Sequence, residues 1–211
     1  MGQGRAGRGG RVFAAIVALV AFAGVAIQFR STLANVGSLG GAAWVLLRYF
    51  TIIANLVVAV VFAGRALTDR PSRRPWVLGG AVISIALVGV IYMLLLRGLL
   101  ELSGGQALAD FLLHYVSPAL APLWWLAFAP KGGLRYRDTL VWCALPLGYA
   151  IYAIARGAID GVYAYPFLNI AERGVATVAT TLGVIGVGYL VSACAFVALD
   201  GLLARGKRRR R

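Results

Sequence analysis

Six long apolar runs, separated by short polar connections, constrain this chain more than any other feature. A helix needs about 20 apolar residues to cross a bilayer core of roughly 30 Å. Inside lipid the backbone must satisfy its own hydrogen bonds, which favours helices over open strands. The sequence therefore predicts an all-α integral membrane bundle of six transmembrane helices, folded as a single domain over residues 1–211. The predicted spans are 12–29, 43–64, 76–96, 109–129, 139–155 and 175–203, between basic tails at 1–11 and 204–211.

The charge content supports a membrane location. Only 13% of the residues are charged and 61% are hydrophobic, whereas a soluble domain usually carries about 25% charged residues. The first apolar run follows Arg5, Arg8 and Arg11, as in a signal peptide. Because it is longer than the usual apolar region of a signal peptide, it is predicted to remain as a transmembrane helix.

The basic residues predict the orientation of the helices. Sixteen of the Lys and Arg residues fall in the tails and the connections on one side, and only four on the other. Cytoplasmic connections carry the excess of positive charge, so both termini are expected in the cytoplasm. The net charge of +14 follows these connections without the interleaved aromatic residues of nucleic-acid-binding proteins, and nucleic acid is not expected as a partner.

Two of the predicted spans carry three polar residues each, at spacings of three and four. They are Arg48, Thr51 and Asn55 in the second span, and Asp110, His114 and Ser117 in the fourth. Such spacings place each set on one stripe of its helix. In the predicted orientation both stripes lie in the outer half of the membrane, so contact is expected where the two helices face each other.

These stripes suggest a nucleophile and its base. A threonine hydroxyl reacts when a neighbouring base removes its proton, and a neutral imidazole is the usual base near pH 7. Asp110 lies one turn before His114 and could fix the imidazole tautomer, as the third member of a catalytic triad does. The alternatives are a threonine bonded to its own helix, a histidine that only joins helices, and an aspartate that caps a helix.

Five further residues are predicted to bind substrate. Arg48 and Asn55 could donate to an oxyanion or, for Arg48, snorkel towards the membrane surface. Ser117 shares the stripe of His114. Tyr165 and Asn169 lie in the longest outer connection, 157–174, which is expected to fold back onto the membrane interface, where tyrosine is favoured.

Three segments, in order along nearly the whole chain, resemble one family. RYFTIIANL at 48–56, HYVSP at 114–118 and YPFLN at 165–169 are similar to motifs of the androgen-induced and androgen-dependent six-helix proteins and their bacterial relatives. The animal members are threonine hydrolases of fatty acid esters of hydroxy fatty acids. The resemblance implies that Thr51 is the nucleophile and His114 the histidine; Asp110, Arg48 and Asn169 come from spacing instead. The arginine-rich tail and the Ala/Val/Gly-rich composition suggest a bacterial inner-membrane protein.

The leading hypothesis is thus an intramembrane lipid-ester hydrolase whose partner is a membrane lipid or another acyl ester. The alternative is a transporter, channel or sensor with the same polar cavity, although no inverted repeat or pair of broken helices is evident. A redox or metal protein is not expected, because His114 is the only histidine and Cys143 and Cys194 lie within apolar spans. No metal and no cofactor are predicted.

Overall fold

The structure, a computed structural model, describes residues 7–68, 74–99 and 101–209, with side chains up to residue 206. Arg5, Arg70, Arg73 and the basic side chains of 207–211 lie outside the described residues. Nine α-helices account for most of the described chain, and it contains no strand. They are α1 (Gly7–Val36), α2 (Leu39–Leu46), α3 (Phe50–Leu67), α4 (Pro75–Ile91), α5 (Gly104–Phe111), α6 (Ser117–Phe128), α7 (Tyr136–Asp160), α8 (Ile170–Arg173) and α9 (Val175–Arg209).

Six helical stretches are long and apolar enough to cross a membrane, which confirms the predicted all-α, multi-pass class. They are Gly7–Val36, Phe50–Leu67, Pro75–Leu96, Gly104–Phe128, Tyr136–Asp160 and Val175–Gly206. The chain divides into two compact units, Met1–Gly133 and Leu134–Arg211. The first unit contains α1 to α6, and the second contains α7 to α9.

The second span differs from its prediction, because it is broken. A continuous helix over 43–64 was expected, but α2 ends at Leu46 and α3 begins at Phe50. Between them the amide of Tyr49 donates to Leu46 O at 3.0 Å, which closes α2 with a tight turn. Thr51 therefore lies in the first turn of α3 instead of deep within a long helix, and Arg48 lies in the break.

A cluster of buried apolar side chains holds the first unit together around this break. Leu46 of α2, Ile52 of α3, Ala109 of α5 and Leu113 pack against one another, with Val25, Ile27 and Phe29 of α1 around them. Ile52 directly follows Thr51, and Leu113 directly precedes His114. Burial of these apolar neighbours brings the two polar residues to the same place.

Two π-helical segments interrupt the third and fourth spans. Tyr92–Leu96 continues α4, and Leu112–Val116 joins α5 to α6. Pro118 explains the second segment, since its ring removes a backbone N–H from the ladder. Such π segments occur often at functional sites, and each of these two carries a polar aromatic side chain into the first unit.

The second unit is more regular. α7 begins with a capping box, in which the amide of Arg135 donates to Asp138 Oδ2 at 2.9 Å. It ends at Asp160, and the next residue, Gly161, has a φ of 72°, the left-handed conformation that glycine adopts readily. The hydroxyl of Tyr189 on α9 donates to Trp142 O on α7 at 3.3 Å. The amide of Leu134 donates to Asp200 Oδ2 at 3.0 Å.

Candidate active site

Thr51 and His114 are in contact in the first unit. The hydroxyl oxygen Oγ1 of Thr51 lies 3.1 Å from Nε2 of His114, which is hydrogen-bond distance. Thr51 is 6% exposed and the His114 side chain 15% exposed, so both are largely shielded. The contact expected between the two stripes is therefore present, while the roles of nucleophile and base stay predictions.

Asp110 lies on the other side of the imidazole ring. Its Oδ1 is 2.8 Å from Nδ1 of His114. A carboxylate at this position favours a proton on Nδ1, because it accepts the hydrogen bond from that nitrogen. Nε2 of the neutral ring then carries a lone pair, which can accept the hydroxyl proton of Thr51. Thr51, His114 and Asp110 thus form a continuous chain with the contacts of a nucleophile–base–carboxylate triad.

Asn55 links the backbone at Thr51 to the backbone at Leu113, the residue before His114. Its Nδ2 donates to Thr51 O at 2.9 Å and to Leu113 O at 3.3 Å. Leu113 O needs such a donor, because the amide of Ser117 bonds Leu112 O and Pro118 has no N–H. The side chain is completely buried, and both of its amide hydrogens serve these carbonyls. Asn55 therefore joins the two spans, and its predicted role in substrate binding stays a prediction.

Tyr92 is the residue that sequence reasoning missed. Its hydroxyl donates to Asp110 Oδ2 at 2.6 Å, and its ring stacks on His114 with centroids 4.1 Å apart and planes 16° from parallel. A tyrosine near the end of an apolar run is typical of the membrane interface, which hides any other role. The sequence feature that came closest to indicating Tyr92 is Asp110, the one carboxylate of the fourth span, because a carboxylate inside a membrane span needs a hydrogen-bond donor nearby.

The other two predicted residues of the first unit are Arg48 and Ser117. Arg48 is 8% exposed and sits in the break between α2 and α3, so the expectation that it continues the helical stripe of Thr51 is wrong. Ser117 is completely buried at the start of α6, and its hydroxyl has no hydrogen-bond partner among the described residues. A buried hydroxyl of this kind is available to a small polar ligand or water.

Tyr165 and Asn169 belong to the second unit. Tyr165 stacks on Phe167 with centroids 5.2 Å apart. Asn169 caps the short helix α8, since its Oδ1 accepts from the amide of Glu172 at 3.3 Å. Both contacts shape the connection itself. Their predicted role in substrate binding stays a prediction.

The arrangement in the first unit can move a proton from a hydroxyl to an imidazole and stabilise the resulting cation with a carboxylate. Apolar side chains surround these groups, and electrostatic interactions are strong in such an environment. The described residues contain no group of three side chains suited to a metal ion. Comparisons of the chain with protein-family models, with curated proteins and with solved structures found no match.

Proposed function

We propose that this chain is an intramembrane lipid-ester hydrolase, related to the androgen-induced and androgen-dependent six-helix proteins, with Thr51 as nucleophile and His114 as base. One observation carries the proposal. Thr51 Oγ1 lies 3.1 Å from His114 Nε2, and His114 Nδ1 lies 2.8 Å from Asp110 Oδ1. The three groups have the order and the separations that activation of a hydroxyl nucleophile requires.

In the first half-reaction, Thr51 attacks the carbonyl carbon of an acyl ester. His114 Nε2 takes the hydroxyl proton as the new C–O bond forms, and the carboxylate of Asp110 stabilises the imidazolium. When the tetrahedral intermediate collapses, the ester C–O bond breaks. His114 returns the proton to the departing alkoxide, which leaves as an alcohol, and the acyl group remains on Thr51.

In the second half-reaction, water attacks the acyl-threonine. His114 takes a proton from the water as the carbonyl carbon is attacked. Collapse of this second intermediate releases a carboxylic acid, and the proton returns to the oxygen of Thr51. The chain is then in its starting state, and one ester and one water have become one acid and one alcohol.

The N-terminus of α3 supports charge development in both steps. Thr51 is the second residue of this 18-residue helix. The positive end of a helix dipole favours negative charge close to it, and an ester carbonyl beside Thr51 Oγ1 would place its developing oxyanion near that end. The break between α2 and α3 therefore has a chemical use, because it brings a helix N-terminus to the hydroxyl.

A lipid substrate fits the surroundings of these groups. The triad lies on spans that are apolar enough to cross a membrane, so an acyl chain can approach laterally from the bilayer. In the proposed orientation, the chain spans a bacterial inner membrane with both termini on the cytoplasmic side. The triad then lies in the outer half of the membrane, and the lipid approaches from the outer leaflet.

A hydrolase probe tests the proposal. Purified protein in detergent is treated with a fluorophosphonate, which reacts covalently with activated hydroxyl nucleophiles, and the site is mapped by mass spectrometry. We expect the adduct on Thr51, and its loss in Thr51→Ala. In His114→Ala the labelling rate should fall by about 10²- to 10⁴-fold, the usual contribution of a general base. Thr51→Ser keeps the hydroxyl and should still be labelled.

Thr32→Ala is the matched control. Thr32 is also buried in the first unit, but its hydroxyl donates to Gln28 O of its own helix at 2.9 Å. Its replacement should leave labelling unchanged. Labelling that persists in folded Thr51→Ala and His114→Ala protein would rule out this mechanism.

The helix break also favours a second candidate, a transporter, channel or sensor. Discontinuous helices often surround the binding sites of transporters, and a chain of hydrogen-bonded groups can pass protons. This candidate predicts proton or solute flux in liposomes that depends on His114, together with no covalent adduct on Thr51. Flux without an adduct would replace the hydrolase proposal.

A further inference from the structure

Tyr92 and His114 face each other from the two π-helical segments of the first unit. Tyr92 is the first residue of Tyr92–Leu96, and His114 is the middle residue of Leu112–Val116. Gly89 permits this approach of α4 to the fourth span, since a Cβ on it would lie 2.9 Å from the Cβ of Pro118. The close approach of the third and fourth spans thus brings the rings of Tyr92 and His114 to a centroid distance of 4.1 Å.

The carboxylate of Asp110 is held at both oxygens by groups from different spans. Oδ1 faces His114 Nδ1 at 2.8 Å, and Oδ2 accepts the hydroxyl of Tyr92 at 2.6 Å. Asp110 and His114 lie on the same span, so their contact does not tie the carboxylate to a neighbouring helix. The bond from Tyr92 ties it to the third span.

We propose that Tyr92 is a positioning residue, which orients the Asp110 carboxylate and the His114 ring so that Nε2 points at Thr51. It acts through two separate contacts. The hydroxyl holds the carboxylate in the plane that keeps the proton on Nδ1, and the ring blocks a flip of the imidazole that would exchange its nitrogens for carbons. In metal sites, partners that orient a ligating imidazole change metal affinity or activity by about 10- to 100-fold, and we expect an effect of similar size for an imidazole that acts as a base.

The packing behind Tyr92 supports this role. Tyr115 meets the Tyr92 ring edge-on, with centroids 5.3 Å apart and planes at 73°. Phe111 in turn stacks on Tyr115 at 5.7 Å. These contacts limit the rotation of the Tyr92 ring and favour the orientation in which its hydroxyl meets Asp110. A residue present only for packing would need the ring but not the hydroxyl, and Tyr92→Phe separates the two.

His114 offers a direct measurement, because it is the only histidine of the chain. In protein labelled with ¹⁵N-histidine, every ring-nitrogen signal comes from this residue and reports its tautomer. In the neutral state, we expect the wild-type ring to carry its proton on Nδ1. In Tyr92→Phe part of the population should shift towards the Nε2-protonated tautomer, because the carboxylate is less firmly held, while the longer contact of Nδ1 with Asp110 O at 3.2 Å stays in place. A wild-type ring protonated on Nε2 would overturn the inference without any variant.

Tyr189→Phe is the matched control. It removes a buried tyrosine hydroxyl that donates to Trp142 O in the second unit, and it should leave the ring-nitrogen signals unchanged. A wild-type spectrum in folded Tyr92→Phe would show that the hydroxyl does not position the ring. Tyr92→Leu removes the aromatic ring as well as the hydroxyl. A wild-type spectrum in this variant would show that the stacking of Tyr92 on His114 does not position the imidazole either.

The effect on rate rests on the proposed hydrolase function and is measured separately. With the fluorophosphonate probe, Tyr92→Phe should lower the maximal labelling rate by about tenfold and leave the probe concentration at half-saturation unchanged. If wild-type protein is not labelled but its tautomer depends on Tyr92, the hydrolase proposal fails and the positioning role stands. If Tyr92→Phe is labelled at the wild-type rate with a wild-type tautomer, the positioning role fails and the hydrolase proposal stands.

Discussion

Serine and threonine hydroxyls along α9 of the second unit have different partners from the hydroxyls at the candidate site of the first unit. In α9 of the second unit, Thr180 and Ser192 donate to carbonyls four residues earlier in the same helix, at 2.9 and 2.8 Å. In the first unit, Thr51 and Tyr92 make contacts with residues of another span. A hydroxyl bonded within its own helix is the common arrangement in a membrane, whereas one that meets an ionisable group of another helix requires a packed site.

Gly89 of the first unit and Gly183 of the second differ in the same way. A Cβ on Gly89 of α4 would lie 2.9 Å from the side chain of Pro118, so this glycine marks a close helix–helix contact of the first unit. A Cβ on Gly183 of α9 would meet nothing within 4 Å. The number of small or polar residues in a span is therefore a poor guide to function. What distinguishes the candidate site is that its polar residues, and Gly89 close to it, meet a neighbouring helix.

The largest difference in stability should be between the alanine variants of these two glycines. Gly89→Ala forces the third and fourth spans apart, and such overpacking costs about 1–3 kcal/mol. Gly183→Ala enters open space and should be neutral or slightly stabilising, since alanine favours helix over glycine. Equilibrium unfolding of the two variants in detergent measures the difference. Equal stabilities would contradict the close contact at Gly89.

The sequence predicted the spans well because a bilayer imposes a simple requirement on helix length and polarity. It also indicated that Thr51 and His114 meet, since polar residues at helical spacing in apolar spans have to find partners. The break after Leu46 was not predicted. No proline or glycine lies in the residues 47–49, and hydropathy does not register a turn that tertiary packing imposes.

The contribution of Tyr92 was beyond the sequence for a related reason. The π segment Leu112–Val116 has a visible cause in Pro118, but Tyr92–Leu96 has no such signal. A π segment changes the direction of the side chains that follow it, so regular helical spacing no longer tells which residues share a face. The stacking on His114 follows from the packing of two irregular segments, which local sequence does not specify.

A smaller effect is expected at Asn55. Asn55→Leu keeps the size of the side chain but removes both donors, so that Leu113 O loses its bond from α3. Leaving a buried polar group without a partner costs about 1–3 kcal/mol, and interhelical bonds in membranes fall at the lower end, about 0.6–1.7 kcal/mol. Asn35→Leu, at an exposed position near the end of α1, is the matched control. Asn55→Leu as stable as Asn35→Leu would show that the amide does not join the two spans.

The smallest effect should come from hydroxyls that serve only their own helix. Thr180→Val is nearly isosteric and removes an exposed hydroxyl bonded to Ala176 O. Substitutions of this kind usually change stability by less than about 0.5 kcal/mol, and labelling by the probe should be unaffected. Thr51→Val makes the same chemical change where the hydroxyl meets an imidazole, and it should abolish the adduct in folded protein. If Thr51→Val and Thr180→Val are labelled equally, Thr51 is not the reactive hydroxyl, and its contact with His114 on another span does not identify the nucleophile.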